Sequence, residues 1–173
     1  MENKKYVAYV GTYTHGSSKG IQVYDVDVKN GTLTERSEVE VRNSSHTALS
    51  KNGLFLYSIE DEGVAVFRRD ANGDLERINS VDIDGMRGCF LSTDVDGKYL
   101  YVAGYHDGKV TVVHTHQDGR LGSLMDGVFH KGLGSVAERN FRPHVNCVRP
   151  TPDRLHRRLH FGTMQRISCY GRF

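Results

Sequence analysis

The chain has 173 residues, 38% of them apolar and 25% charged, and a formal net charge of +2. That length suits one domain with a real core, and the balance of residue types excludes a disordered polypeptide. Basic residues bunch only at positions 154–158, which excludes the broad basic face of a nucleic-acid binder, and residues 1–10 hold no long apolar segment, so neither a signal peptide nor a membrane partner is expected.

Taken in chain order, the sequence repeats itself. Trp is absent, and Tyr and Phe fall in short Val-rich runs that suit pleated strands. A first, partial copy reads Gly20-Ile21-Gln22-Val23-Tyr24 and then Asn30-Gly31-Thr32-Leu33. A second reads Asn52-Gly53-Leu54-Phe55-Leu56-Tyr57, then Gly63-Val64-Ala65-Val66-Phe67, then Asn72-Gly73-Asp74-Leu75. A third follows 44 residues on: Asp96-Gly97-Lys98-Tyr99-Leu100-Tyr101, then Gly108-Lys109-Val110-Thr111-Val112-Val113, then Asp118-Gly119-Arg120-Leu121. A fourth begins at Val145 and reaches Thr151-Pro152-Asp153. The Asn-Gly and Asp-Gly pairs supply the positive φ angles of tight hairpins. No stretch sustains helical apolar spacing with caps at both ends.

Four short strands in each repeat of this length predict an all-β fold, a β-propeller of about three and a half blades. The blades are expected at residues 6–41, 44–83 and 85–132, with a fourth from 142, giving a partial propeller over 1–153. Residues 133–141 read as a linker. Past Asp153, charge occupies the places where earlier copies carry Tyr, Leu and Val, so 154–173 reads as a degenerate tail, at most an irregular strand. Three and a half blades cannot close a ring. The chain therefore reads as a fragment or as half of an assembly, with exposed blade edges open to self-association. Cys89, Cys147 and Cys169 are odd in number and widely spaced, which predicts reduced thiols, a cytoplasmic setting and no metal site.

Tyr9-Val10-Gly11-Thr12-Tyr13-Thr14 followed by Gly20-Ile21 resembles the opening of the seven-bladed propeller lactonases of the 6-phosphogluconolactonase type. Residues 48–57 and 91–102 resemble their second and third blades, and Arg142-Pro143-His144-Val145-Asn146 their Pro-His-x-His element. Gly162-Thr163-Met164-Gln165 resembles a later segment faintly. The resemblance implies a carboxylic-ester hydrolase that opens a sugar lactone such as 6-phosphogluconolactone, in the oxidative branch of the pentose phosphate route. Where the family often carries a second histidine, this chain has Asn146. Near the tail motif it has His160 or Met164 in place of a frequent acidic residue. Impaired activity is therefore expected of this chain, and a non-catalytic propeller that binds partners stands as the alternative.

Opening a lactone needs a base for water, a donor for the developing oxyanion and cations for the substrate; neither a metal nor a cofactor is required. His144 is the candidate base, with Arg142 beside it as its catalytic partner; a surface histidine held by Pro143 is the other reading. Arg87, Arg139, Asn146 and His46 are the candidate substrate-binding residues. Arg87, Arg139 and Arg142 could form a cationic rim for a phosphate or carboxylate, or could be ordinary solvated arginines. Asn146 reads as an oxyanion donor or a turn amide, and His46 as a mouth residue or a strand-edge histidine. Glu60-Asp61-Glu62 could orient a sugar hydroxyl or simply form a hairpin. His114 and His116 read as strand surface.

Overall fold

The computed structural model describes residues 6–132 and 142–150, together with the backbone of residues 156–159 and 167–170. Among the described residues fourteen strands follow one another: β1 (Tyr6–Gly11), β2 (Gly20–Asp27), β3 (Thr32–Glu40), β4 (Thr47–Leu49), β5 (Phe55–Glu60), β6 (Gly63–Arg69), β7 (Leu75–Asp82), β8 (Phe90–Thr93), β9 (Tyr99–Ala103), β10 (Lys109–Thr115), β11 (Leu121–Phe129), β12 (Cys147–Pro150), β13 (His156–Leu159) and β14 (Ile167–Tyr170). They form four antiparallel sheets in simple meander order: β1-β2-β3, β4-β5-β6-β7, β8-β9-β10-β11 and β12-β13-β14. The all-β propeller architecture expected from the repeat is what the chain adopts.

The repeat has a physical counterpart in each copy. The side chain of Ser50 accepts from the Phe55 amide at 3.0 Å, and Asp94 accepts from the Tyr99 amide at the same distance, so each turn into the second strand is closed by a side-chain oxygen. Gly53 and Gly97 sit in those turns at φ of 70° and 67°, a region that L side chains avoid. Register slips recur at Val23/Tyr24, Val66/Phe67 and Val112/Val113, in each of the first three sheets between its last two strands.

Sheets stack face to face, so the central strands are apolar on both sides. Leu56, Ala65 and Phe67 face the first sheet and pack with Ile21 and Val41. Their neighbours Phe55, Tyr57, Ile59, Val64 and Val66 face the third sheet and meet Leu91, Leu100, Val102 and Val113. Tyr101, Ala103, Val110 and Val112 point the other way, to Val145 and Val148 of the fourth. Strict alternation thus builds three cores between four sheets, each fully buried Val, Leu or Ile contributing ~1.5–3 kcal/mol. The inner strands run alongside one another. Ser45 Oγ donates to the Gly88 carbonyl at 3.3 Å and Ser92 Oγ to the Val148 carbonyl at 2.6 Å.

The first and last sheets have three strands among the described residues, in keeping with a partial propeller. By the repeat, Gly20-Ile21 matches Gly63-Val64, so β1 holds the second place in its sheet and no described strand lies inside it. Two short strands of the tail are described. Cys147 stands opposite Leu159 as Phe90 stands opposite Ala103, and β14 adds to β13 in antiparallel register. Backbone pairing makes no demand on side-chain polarity, so a charged segment can still take the second-strand place. The 133–141 linker and residues 151–155 and 160–166 lie outside the described residues.

Candidate active site

Three loops lead into the inner strands β4, β8 and β12: residues 41–46, 83–89 and 142–146. They share one end of the sheets with the hairpin loops 12–19, 61–62 and 104–108. Hydrogen bonds join the two sets. Thr14 N donates to Asn43 Oδ1 at 3.0 Å, Asn43 Nδ2 to Asp61 Oδ1 at 2.6 Å, and Met86 N to Asp107 Oδ2 at 3.0 Å. Asn43, Arg87 and His144 occupy one repeat position, each three residues ahead of His46, Phe90 and Cys147.

His144 is half-buried and fixed by the hairpin between β9 and β10. Its Nδ1 lies 2.7 Å from the Tyr105 carbonyl, and the Tyr105 ring stacks on the imidazole at 4.3 Å and 17°. A carbonyl oxygen only accepts, so Nδ1 carries the hydrogen and Nε2 is the acceptor nitrogen of the neutral ring. His46 shows the reverse arrangement. The Leu91 amide donates to its Nδ1 at 3.2 Å, which puts its hydrogen on Nε2. Burial, and after it the charge of Arg149, holds its pKa below the ordinary histidine value. The Phe90 ring lies 4.5 Å from His46, with the Arg149 guanidinium 5.1 Å from the centre of the same ring.

Arg87 lies over the Tyr13 ring at 5.0 Å, with Asp61 Oδ1 3.8 Å from its Nη1. The same hairpin, residues 104–108, touches the linker of Arg87 through Asp107 and that of His144 through Tyr105, so these two residues share one end of the sheets. His46 enters its strand at that end, but three residues deeper than the position shared by Arg87 and His144. Asn146 stands where Ser45 and Cys89 stand in earlier copies. Ser45 reaches the Gly88 carbonyl and Cys89 Sγ the Val145 carbonyl at 3.3 Å, so this position faces the seam between sheets. Arg142 is half-buried at the start of the fourth linker. Arg139 lies outside the described residues, as do His160 and residues 162–165.

The acidic cluster divides by function of place: Asp61 turns to Asn43 and Arg87, while Glu60 pairs with Arg77 at 2.7 Å. His114 and His116 meet edge to face at 4.8 Å, His116 just past the end of β10. Burial pushes the Cys89 thiol up to about 11, which leaves it protonated and a poor nucleophile. Tyr13, Asn43 and Tyr105 were not singled out from sequence. Asn43 was legible as the blade-two counterpart of Arg87 and His144. Tyr105 lies in an ordinary-looking hairpin and is revealed only by its contact.

The family model of the lactonases, described as seven-bladed β-propellers, matches residues 7–157. The chain belongs to that family. It is 37% identical over 155 residues to the 6-phosphogluconolactonase of Bacillus subtilis strain 168, covering 86% of this chain and 44% of the relative. Among solved structures, the periplasmic gluconolactonase of Pseudomonas aeruginosa superposes with a TM-score of 0.84 at 27% identity, over 91% of this chain and 47% of that one. A Bacteroides fragilis structure superposes at 0.85 with 34% identity, over 91% and 46%. The chain thus spans about half the length of the relatives it matches.

Proposed function

We propose that this chain carries part of a lactonase site that opens a sugar lactone such as 6-phosphogluconolactone, with His144 as the base. The observation that carries the reading is the contact between His144 Nδ1 and the Tyr105 carbonyl, closed by the stacked Tyr105 ring. It fixes one tautomer and one ring orientation, as a general base requires. Nε2 takes a proton from water while the water oxygen bonds to the lactone carbonyl carbon. The tetrahedral oxyanion faces the cationic linker, where Arg142 supplies positive charge. Collapse breaks the ring C–O bond, and the ring oxygen leaves with the proton held on Nε2. The product is the open sugar acid.

Arg87 takes the substrate's anionic group, and His46, a neutral Nε2–H donor, takes a sugar oxygen. Arg139 extends the cationic rim. A cytoplasmic setting belongs to the same reading, supported by Cys89 and Cys147, which are both thiols. The test is acid release from 6-phosphogluconolactone at fixed pH, corrected for spontaneous opening. His144→Ala should remove the enzymic part of the rate; an unchanged rate assigns the base elsewhere.

A further inference from the structure

We infer that Asn43 and Asp61 are positioning residues that aim the Arg87 guanidinium at a phosphoryl group, and so set the preference of this mouth for phosphorylated over unphosphorylated sugar ligands. The inference rests on the lactonase reading above and adds to it the device that prepares Arg87.

The contacts form a relay across three sheets. Asn43 is buried, 8% exposed, at the joint between the first and second sheets, and its backbone sits at a φ of 53°. That conformation is left-handed, which Asn tolerates better than other side chains. It turns the amide so that Oδ1 accepts from both Thr14 N and Thr14 Oγ1, at 3.0 and 3.3 Å, while Nδ2 donates to Asp61 Oδ1 at 2.6 Å. The first sheet's loop is thereby locked to the second sheet's hairpin. The same loop presents Tyr13 under Arg87, and the same hairpin presents Asp61 beside it.

The distances decide what Asp61 does. Its Oδ1 is committed to Asn43 at 2.6 Å and stands 3.8 Å from Arg87 Nη1, beyond hydrogen-bond range. Asp61 therefore orients the guanidinium without consuming its donors. The Tyr13 ring lies under the Arg87 guanidinium carbon at 5.0 Å, a cation–π contact that anchors the charge from one side. Arg87 is half-buried, its side chain 27% exposed, so the charge is partly sheltered yet reachable. A planar guanidinium with donors left free by Asp61 matches the paired oxygens of a phosphoryl group. An unphosphorylated sugar gains nothing comparable from it.

Isothermal titration of the full 173-residue chain with 6-phosphogluconate and with gluconate tests this. The unaltered chain should bind the phosphorylated acid at least tenfold more tightly, and Arg87→Ala should erase that ratio. Asn43→Gly keeps the left-handed backbone and removes only the amide; it should lower the ratio at least threefold with gluconate affinity unchanged. Asp61→Ala should do the same, and so should Asp61→Asn, which keeps an oxygen for Asn43 but loses the charge that orients the guanidinium. Equal ratios in the unaltered chain, Asn43→Gly and Asp61→Ala, each folded by circular dichroism, overturn the relay while Arg87→Ala still registers the clamp. If Arg87→Ala leaves the ratio intact, or the unaltered chain shows no preference, the assignment of Arg87 as the anion clamp falls, and the relay with it.

Discussion

Two histidines at one end of the sheets are set in opposite hydrogen-bonding senses, and each setting predicts a measurable effect. The Tyr105 carbonyl fixes His144 through Nδ1, and the Tyr105 ring holds its plane. Tyr105→Ala keeps the carbonyl and removes the ring. We expect it to lower kcat about tenfold, less than the ~10²–10⁴-fold that general-base catalysis supplies and that His144→Ala should forfeit. Equal losses in the two variants would mean that the ring, not the carbonyl, orients the base. His46 is held neutral, its pKa lowered by burial and then by Arg149. The unfolded chain takes up a proton on this residue at a higher pH than the folded chain does. Stability is therefore complete above about 6.5, the ordinary histidine value, and falls as pH drops below it. Denaturant midpoints of the unaltered chain and His46→Gln should diverge above that value and converge below it. Parallel curves through this range would remove His46 as the source.

The strands and hairpins were the most legible part of the sequence, because their causes are local. Asn-Gly and Asp-Gly pairs announce positive φ, and alternating apolar residues announce the buried faces. The structure shows how differently two such glycines are constrained. Gly31 has a φ of 68° with nothing near its missing side chain. Gly119, at 87°, would place a Cβ 2.3 Å from the Phe55 ring of the preceding sheet. Gly31→Ala should cost about 1 kcal/mol from backbone strain alone. Gly119→Ala should cost at least twice that, since Phe55 must also move; matching urea midpoints for the two would contradict the packing of these sheets. The candidate site was legible only where it coincided with the repeat. Arg87 and His144 stand in one repeat position and could be paired from spacing. His46 lies three residues deeper, and Asn43, which fills that position in the second copy, carries no chemical signal until its contacts with Thr14 and Asp61 are known. The pairing of β13 was hidden because charge in the side chains masks what the backbone can do.

At the scale of the molecule, four sheets of a seven-bladed family lie side by side, and the inner place in the first sheet is empty among the described residues. The free edge of β1 bears Tyr6 and Val10, 46% and 40% exposed. An apolar edge of this kind pairs readily with another strand. Sedimentation should therefore show association that grows with concentration, and Val10→Lys should suppress it; a monomer at all concentrations would show the edge to be protected. We expect the 173-residue chain, taken by itself, to hold its mouth open to water, which weakens the electrostatic contacts that stabilise an oxyanion. The most direct measurement of the central claim is the rate of acid release from 6-phosphogluconolactone by the purified chain, set beside its His144→Ala variant and the Bacillus subtilis relative. Turnover above the spontaneous rate, far below that of the relative and abolished by His144→Ala, is the predicted result. Turnover that survives His144→Ala, or none from a folded chain that binds 6-phosphogluconate, would contradict it.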